Sequence, residues 1–590
     1  MNANVNANVN ANATSHADNA AVMWADLLIV NVRVFNSALK TFYKANVAVK
    51  DGKFLYIGSQ GPETIAATSV IDGRGRAMIP GLIDIHLHIE STMVTPRTFS
   101  HGIIRCGVTS IVADPHEMAN VFGIRGIREM IEAGRTCTAD MFWGIPSSVP
   151  ATLLETTGGT VGVEEIDELL AVDGVVCLGE VMDYADMAAN PDGRTNRILR
   201  HVRSRYPQLP IEGHCPKLVD VELSRFVYAG IDSDHTQMTV DEFEERIRAG
   251  MFIEIQEKSM TPELIRHLVD HDRSEHFCFV TDDVMPDTFV KLGHLDHLVR
   301  KAIRMGMEPE AAIYAATMTP AKRMNLRDRG RIAPYRIADF VLLDDVRELA
   351  VGEVFKGGVK AYDASEPYEE EPAERQFPAD FYTSVKLSPV GAADFTVSAP
   401  TESGEQPCRV IMVGDGSTFT REHIDNVPVR GGELLWEQSP YSLIAIMERY
   451  GINGNRAFGL VGGDAIREGA IATTYAHDNH NLLVLGRSKA DMELAGNTVI
   501  GRQGGYCVVL GGEVIAFLPL PVGGILSEAT LDELAIETAR LREAMKRLGY
   551  RHYNPIMSLS TLSLPVSPAL KITDFGLIRT KEGKVVDLFA

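Results

Sequence analysis

Between residues 80 and about 323, short apolar runs alternate with stretches of helical character. Several runs are apolar on both faces, as parallel strands covered by helices should be. Eight β-α units in roughly 250 residues match a closed (β/α)8 barrel, an α/β fold that we predict here. The alternative, an open doubly wound sheet, would not require eight units. The runs lie at residues 80–88, 109–117, 140–148, 175–184, 210–216, 230–236, 251–259 and 277–284.

Strand-like patterns also flank the predicted barrel. Between residues 26 and 58, short apolar runs are separated by turn signals such as Asp51-Gly52, which indicates β structure. Residues 330–343 return to this pattern. We therefore predict a barrel over residues 80–325 and one small β domain built from both flanks, residues 23–79 and 326–364.

The remaining segments differ in composition. Residues 1–22 repeat Asn, Ala and Val, which predicts a disordered tail. An acidic, proline-bearing stretch at 365–378 predicts a linker. Residues 379–590 predict a C-terminal α+β domain, with glycine-flanked β runs and one strong helix. That helix begins at a capping box, Thr530 and Glu533, and ends at Gly549.

Composition narrows the class of partner. The net charge of the 590-residue chain is −22, which argues against nucleic acid and favours a small neutral or cationic substrate. Seven scattered cysteines without a CxxC pair predict neither disulfides nor a thiolate zinc site. We found neither a signal peptide pattern nor an apolar stretch of about 18 residues, so we expect a cytoplasmic protein without membrane contact.

Candidate metal ligands stand at the ends of the predicted strands. His86 and His88 are two residues apart on a strand, so both imidazoles face the same side and can reach one ion. Barrel enzymes carry their chemistry at these strand ends. Imidazole and carboxylate ligands together suit Zn, Mn or Fe(II) and metal-assisted hydrolysis. Later runs add Asp114, Glu180, His214, His235 and Asp282.

These residues resemble the motifs of the amidohydrolase superfamily over residues 24 to about 360. The matching elements are Pro80-Gly81-Leu82-Ile83-Asp84-Ile85-His86-Leu87-His88, His214, His235, Asp282 and the return at 332–343. The resemblance implies that His86 and His88 bind a first metal, that His214 and His235 bind a second, and that Asp282 is metal-bound and moves protons. The bridging position, commonly a carboxylated lysine, is Glu180 here, which weakens the analogy with the hydantoinase and dihydroorotase branches.

More specific strings are similar to the bacterial adenine deaminases. They are Ile89-Glu90-Ser91-Thr92-Met93, Ala113-Asp114-Pro115-His116-Glu117-Met118-Ala119-Asn120, Val280-Thr281-Asp282-Asp283 and Thr473-Thr474-Tyr475-Ala476-His477-Asp478-Asn479-His480-Asn481. This resemblance implies hydrolysis of adenine to hypoxanthine and ammonia in purine salvage. It also implies two divalent metal ions, with Mn(II) or Fe(II) expected and Zn(II) as the alternative. We further expect a homo-oligomer, specifically a dimer.

A mechanism follows as a hypothesis. Metal-bound hydroxide attacks C6 of the purine, while Asp282 accepts its proton and returns it to the departing amine. Glu117 and His116 are candidates for protonating N1, although Glu117 could equally cap the following helix. Asp114 is either a turn residue or a partner that orients a histidine. Residues 477–480 are interpreted as hydrogen-bonded loop residues or a lid, outside the metal set.

Two other functions compete with this hypothesis. The same metal centre could hydrolyse a cyclic amide, as hydantoinases and dihydroorotases do. A non-catalytic scaffold should have lost several ligands, whereas all six proposed positions are filled here.

Overall fold

The computed structural model describes residues 23–368, 370 and 375–590. The predicted tail at 1–22 and positions 369 and 371–374 of the predicted linker lie outside these residues. Among the described helices, none combines the length and the apolar character needed to cross a membrane.

The described chain begins with five strands. The turn between the second and the third is Asp51-Gly52, where both residues have positive φ, 49° and 73°. This geometry matches the right-handed twist of a hairpin and favours Asp-Gly. The strands are β1 (Met23–Asn36), β2 (Thr41–Lys50), β3 (Lys53–Gly58), β4 (Ile65–Asp72) and β5 (Ala77–Pro80).

Eight further strands follow, one at each predicted apolar run. The first five lie side by side in chain order as a parallel sheet, and the last three form a second parallel sheet. Together they curl into a TIM-barrel-like arrangement. They are β6 (Leu82–Leu87), β7 (Val108–Ala113), β8 (Asp140–Ile145), β9 (Val175–Val181), β10 (Ile211–Gly213), β11 (Ser233–Asp234), β12 (Phe252–Ile255) and β13 (Phe277–Phe279).

Helices cover these strands with their apolar faces. The helix Leu295–Arg304, for example, buries Leu295, Leu298, Val299 and Ala302, which recur at the helical period. The helices are α1 (Pro96–Arg105), α2 (His116–Phe122), α3 (Ile124–Gly134), α4 (Val163–Leu169), α5 (Tyr184–Ala189), α6 (Arg194–Arg205), α7 (Asp220–Tyr228), α8 (Val240–Arg248), α9 (Pro262–Asp270), α10 (Pro286–Leu292), α11 (Leu295–Arg304), α12 (Pro309–Ala315) and α13 (Met318–Arg323).

The chain then returns to the first sheet. The strands β14 (Phe340–Asp345), β15 (Ala350–Lys356) and β16 (Val359–Asp363) join it through β14, which runs antiparallel to β5. The result is one eight-stranded sheet containing strands from both flanks of the barrel-like region.

Residues 379–590, called the C-terminal region below, contain a nine-stranded sheet and a three-stranded sheet. The capping box of Thr530 and Glu533 starts a helix at Leu531, as the sequence predicts. The strands are β17 (Ser403–Val413), β18 (Arg421–Arg430), β19 (Glu433–Leu434), β20 (Ser442–Met447), β21 (Arg456–Gly463), β22 (Ala470–Thr473), β23 (Leu482–Gly486), β24 (Gly505–Leu510), β25 (Glu513–Pro519), β26 (Leu570–Thr573), β27 (Gly576–Arg579) and β28 (Lys584–Val586). The helices are α14 (Lys489–Gly501), α15 (Leu531–Arg547) and α16 (Pro555–Ser560).

The C-terminal region packs directly on the barrel-like region. One continuous apolar cluster includes buried residues from both. Polar contacts also join the two regions. Arg542 Nε lies 2.6 Å from Asp287 Oδ2, and Asp574 Oδ1 accepts a hydrogen bond from the Thr156 backbone N at 2.9 Å. These contacts hold the C-terminal region across the strand ends that carry the candidate ligands.

A fully buried ion pair supports one of those strand ends, and its loss should be measurable. Arg246 Nε lies 2.5 Å from Asp234 Oδ2, next to His235, and neither side chain is exposed. Because Arg246→Met would leave a buried carboxylate unpaired, we expect a loss of about 3–5 kcal/mol in the free energy of unfolding, measured in urea. Lys546→Ala, which removes an exposed pair with Glu543, should change stability by about 0.5 kcal/mol or less. Similar effects of the two substitutions would contradict this account.

Candidate metal centre

Two histidines at the end of β6 meet a glutamate from β9. His86 and His88 are each only 3% exposed. His88 Nε2 lies 3.4 Å from Glu180 Oε1. Each of the three residues offers one potential ligand atom, and these three atoms lie within 4.8 Å of one another. Parallel strand ends converge here, so residues almost a hundred positions apart share one site.

The other carboxylate oxygen of Glu180 meets a second pair of histidines. Glu180 Oε2 lies 2.9 Å from His214 Nδ1 and 3.3 Å from His235 Nε2. His214 directly follows β10 and His235 directly follows β11. The glutamate therefore stands between two histidine pairs, with one oxygen towards His88 and the other towards His214 and His235.

Asp282 completes the set of six. Its Oδ1 lies 3.6 Å from His88 Nε2 and 4.0 Å from His86 Nε2. Its backbone adopts a left-handed conformation, with φ of 58°, and its N–H donates to the carbonyl of His86 at 3.1 Å. This turn aims the carboxylate at the two β6 histidines. All six residues predicted as ligands thus converge.

The donor atoms fit divalent cations. Among the described residues, His86 Nε2 is buried without a hydrogen-bond partner, and Asp282 Oδ1 lies 4.0 Å from it. His214 Nδ1 and His235 Nε2 face each other at 3.1 Å, an approach that requires a proton or a cation between two nitrogen lone pairs. Imidazoles together with carboxylates are a donor set for Zn, Mn or Fe(II).

Electrostatics at the centre favour bound positive charge. Burial by itself raises the pKa of Glu180, but hydrogen bonds from His214 and His235 outweigh it and hold this pKa well below its usual value. Burial lowers the pKa of His235, yet its contact with Glu180 outweighs this effect and raises the pKa to about 9. The carboxylate is therefore ionised and attracts cations.

Neighbouring groups orient the candidate ligands. His88 Nδ1 lies 3.0 Å from the carbonyl oxygen of Asp114, and Asp114 Oδ2 accepts from the backbone N of Glu180 at 3.1 Å. The side chain of Gln256 donates to the carbonyl of His235 at 2.8 Å. Asp114, for which the sequence leaves two roles open, contacts ligands from both β6 and β9. Its geometry is that of an orienting residue.

His116 and Glu117 lie beside this centre, at the start of α2. His116 Nδ1 is 3.9 Å from Glu180 Oε1, and His116 Nε2 is 3.5 Å from Glu117 Oε1. Burial opposes the charged form of His116, but Glu117 outweighs it and holds the pKa of His116 well above its usual value. Of the two predicted proton donors, His116 is therefore the one that carries a proton.

Glu117 in turn is held by the C-terminal region. His480 Nε2 is hydrogen-bonded to Glu117 Oε2, and His477 Nε2 lies 3.2 Å from Glu117 Oε1. Burial raises the pKa of Glu117, but His477, His480 and His116 outweigh it and hold the pKa well below its usual value. Glu117 is thus a carboxylate among imidazoles.

The loop that supplies these histidines also brings Asp478 to the site, a residue that the sequence interpretation left out of the functional set. Asp478 is 2% exposed, and its Oδ1 lies 3.9 Å from His116 Nε2. One signal could have indicated its importance. Residues 473–481 are rich in His, Asp, Asn and Thr, yet every one of them is buried, and buried polar groups are retained only with partners or a function.

A cavity of ≈ 430 Å³ opens onto the six residues. Its wall comes from both parts of the chain: the ligand side includes His88, Glu180 and Asp282, and the opposite side includes Phe419 and Tyr553. The volume suits a small molecule, and access to the metal-ligand set passes the C-terminal region.

Comparison with known proteins gives two family matches. Residues 77–361 match the amidohydrolase family, and residues 417–584 match the adenine deaminase C-terminal domain. The chain is 57% identical over 568 residues to adenine deaminase 2 of Shouchella clausii, covering 96% of this chain and 99% of that protein. It is 48% identical over 572 residues to an adenine deaminase of Clostridium perfringens, covering 96% and 100%.

Proposed function

The chain belongs to the adenine deaminase family of the amidohydrolases, and from this membership we propose that it hydrolyses adenine to hypoxanthine and ammonia. The observation that carries the proposal is the position of Glu180. Its two oxygens face two neighbouring histidine pairs at the edge of a cavity large enough for a nucleobase.

The barrel that presents these residues is proposed to be closed. Two contacts join the parallel sheets at both seams. The backbone N of Asp232 donates to the carbonyl of Ile211 at 3.2 Å, between β10 and β11. The backbone N of Asp282 donates to the carbonyl of His86 at 3.1 Å, between the end of β13 and β6. We also propose the domain division predicted above, and a homodimer that sedimentation velocity would detect.

His86 and His88 would hold one divalent ion and His214 and His235 a second; Glu180, whose oxygens face both pairs, would serve both, and Asp282 would be a further ligand. The proposed ions are Mn(II) or Fe(II), with Zn(II) as the alternative. When bound, such ions lower the pKa of coordinated water towards ~7 and so supply a nucleophile at neutral pH.

The protein's own residues then move the protons. Asp282 accepts one proton of the attacking water and returns it to the amine that leaves C6. Attack at C6 puts negative charge on N1 of the purine. His116, kept protonated by Glu117, donates a proton to N1. The second water proton is released when the C6 carbonyl forms, and it restores the proton that His116 gives to N1. Glu117 is fixed in turn by His480.

The decisive experiment supplies the purified protein with Mn(II), Fe(II) or Zn(II) after chelation and measures two reactions. We expect ammonia release from adenine, restored by metal and absent after chelation, and no ring opening of hydantoin or dihydropyrimidines. Ring opening without ammonia release would replace the proposal by cyclic amide hydrolysis. Absence of both reactions in protein that binds two equivalents of metal would reject it.

A further inference from the structure

The C-terminal region places a carboxyl group on the wall of the cavity, beyond the metal-ligand set. Three side chains follow one another along this wall. Glu180 Oε1 is 3.9 Å from His116 Nδ1, and on the other side of the same ring His116 Nε2 is 3.9 Å from Asp478 Oδ1. All three residues line the cavity.

Part of the carboxyl group of Asp478 has no partner among the described residues. The residue is 2% exposed, and its Oδ2 makes no hydrogen bond within the described residues. Buried polar atoms without partners are rare, because an unmade hydrogen bond costs the full desolvation of the group. Because Asp478 also lines the cavity, its carboxyl group is a candidate for contact with a ligand.

The order of these side chains matches the order of positions around a purine. Glu180 belongs to the centre that faces C6, and His116 is the proposed proton donor to N1. Continuing around the six-membered ring in the same direction leads to N3, which lies opposite C6, and then to the neighbouring N9. In the free base this edge presents an acceptor, N3, beside a donor, N9–H. In a nucleoside the donor is replaced by a sugar.

We propose that Asp478 reads the N3/N9–H edge of the substrate and so makes the site specific for the free base over 9-substituted purines. This inference rests on the proposed function. A carboxyl group complements such an edge with its carbonyl oxygen accepting from N9–H and its hydroxyl donating to N3.

The electrostatics of the site agree with a protonated carboxyl. Burial and the adjacent negative charge of Glu117 raise the pKa of Asp478 well above its usual value. A 9-substituted purine would leave the buried carbonyl oxygen without a donor. Sites built around a substrate N–H or O–H reject analogues that lack it far more strongly than sites that discriminate by shape alone.

The test compares adenine with 9-methyladenine, in which a methyl group replaces the hydrogen on N9. The measured quantity is the ratio of kcat/KM for the two substrates in the wild type, in Asp478→Ala and in Asp478→Asn, together with metal content. We expect a ratio of about 10² or more in the wild type, and a decrease of at least tenfold in Asp478→Ala with two metal equivalents retained. Asp478→Asn, whose amide keeps both an acceptor for N9–H and a donor for N3, should give a ratio close to that of the wild type.

Asp574→Asn is the matched control, because Asp574 is another buried carboxylate of the C-terminal region that contacts the barrel-like region through Thr156. Its ratio should equal that of the wild type. An unchanged ratio in Asp478→Ala, in enzyme that deaminates adenine, would overturn the inference and leave the proposed function intact. Failure of wild-type, metal-loaded protein to release ammonia from adenine would reject the proposed function itself, and the inference with it.

Discussion

Replacing Asp282 with asparagine is expected to lower kcat for adenine deamination by about 10²- to 10⁴-fold, the range contributed by a general acid–base group. Asparagine has nearly the same shape and retains an oxygen that can bind a metal. It cannot accept the proton of water or return one to the departing amine. The backbone N–H of residue 282 still donates to the carbonyl of His86, so the turn that aims this side chain survives the substitution.

The measurement is steady-state ammonia release at saturating adenine, with metal content determined on the same preparation. Asp283→Asn is a close control, because Asp283 is the next residue and its carboxylate is engaged by a hydrogen bond from Ser91. We expect that variant to retain activity within about tenfold of the wild type. Robust turnover by metal-loaded Asp282→Asn would remove Asp282 from the proton-transfer role.

The strand pattern predicts much of the barrel-like region because it is local. A strand lies at each of the eight runs, but several strands are much shorter than their runs. The run at 210–216 contains only Ile211–Gly213, and the run at 230–236 only Ser233–Asp234. In both cases the chain leaves the sheet just before the histidine, so that the imidazole projects from the strand end. A hydrophobic pattern predicts that a strand exists, but it does not predict the residue at which the hydrogen bonding to the neighbouring strand ends.

The six candidate ligands could be located from sequence for the same reason. Each lies at or just after the end of an apolar run, and the topology of a barrel brings those ends together. The surroundings of Glu117 could not be found in this way. Its partner His480 is 363 residues away in the chain, and the two meet only because the C-terminal region packs over the strand ends. Spacing within a motif carries no information about such contacts between distant segments.

Glu180→Ala should have the most severe effect, because one carboxylate serves both histidine pairs. Its removal takes away Oε1 beside His88 and Oε2 beside His214 and His235. The facing nitrogens of His214 and His235 would then lose the negative charge that offsets their shared proton or cation. We expect bound metal to fall from two equivalents to less than one, and kcat/KM to fall by at least about 10³-fold.

Metal analysis after dialysis, together with ammonia release at added Mn(II), separates this effect from general damage. Glu155→Gln is the matched variant: Glu155 is also buried, and it bonds to Thr152 and Asn479 rather than to a histidine. It should keep both metals and most of the activity. Glu180→Gln should fall between the two, because an amide oxygen can bind one cation but a neutral amide cannot offset the charge of two. If Glu180→Ala retained two tightly bound ions, metal binding by the two histidine pairs would not depend on Glu180. The proposed role of Glu180 would then be rejected.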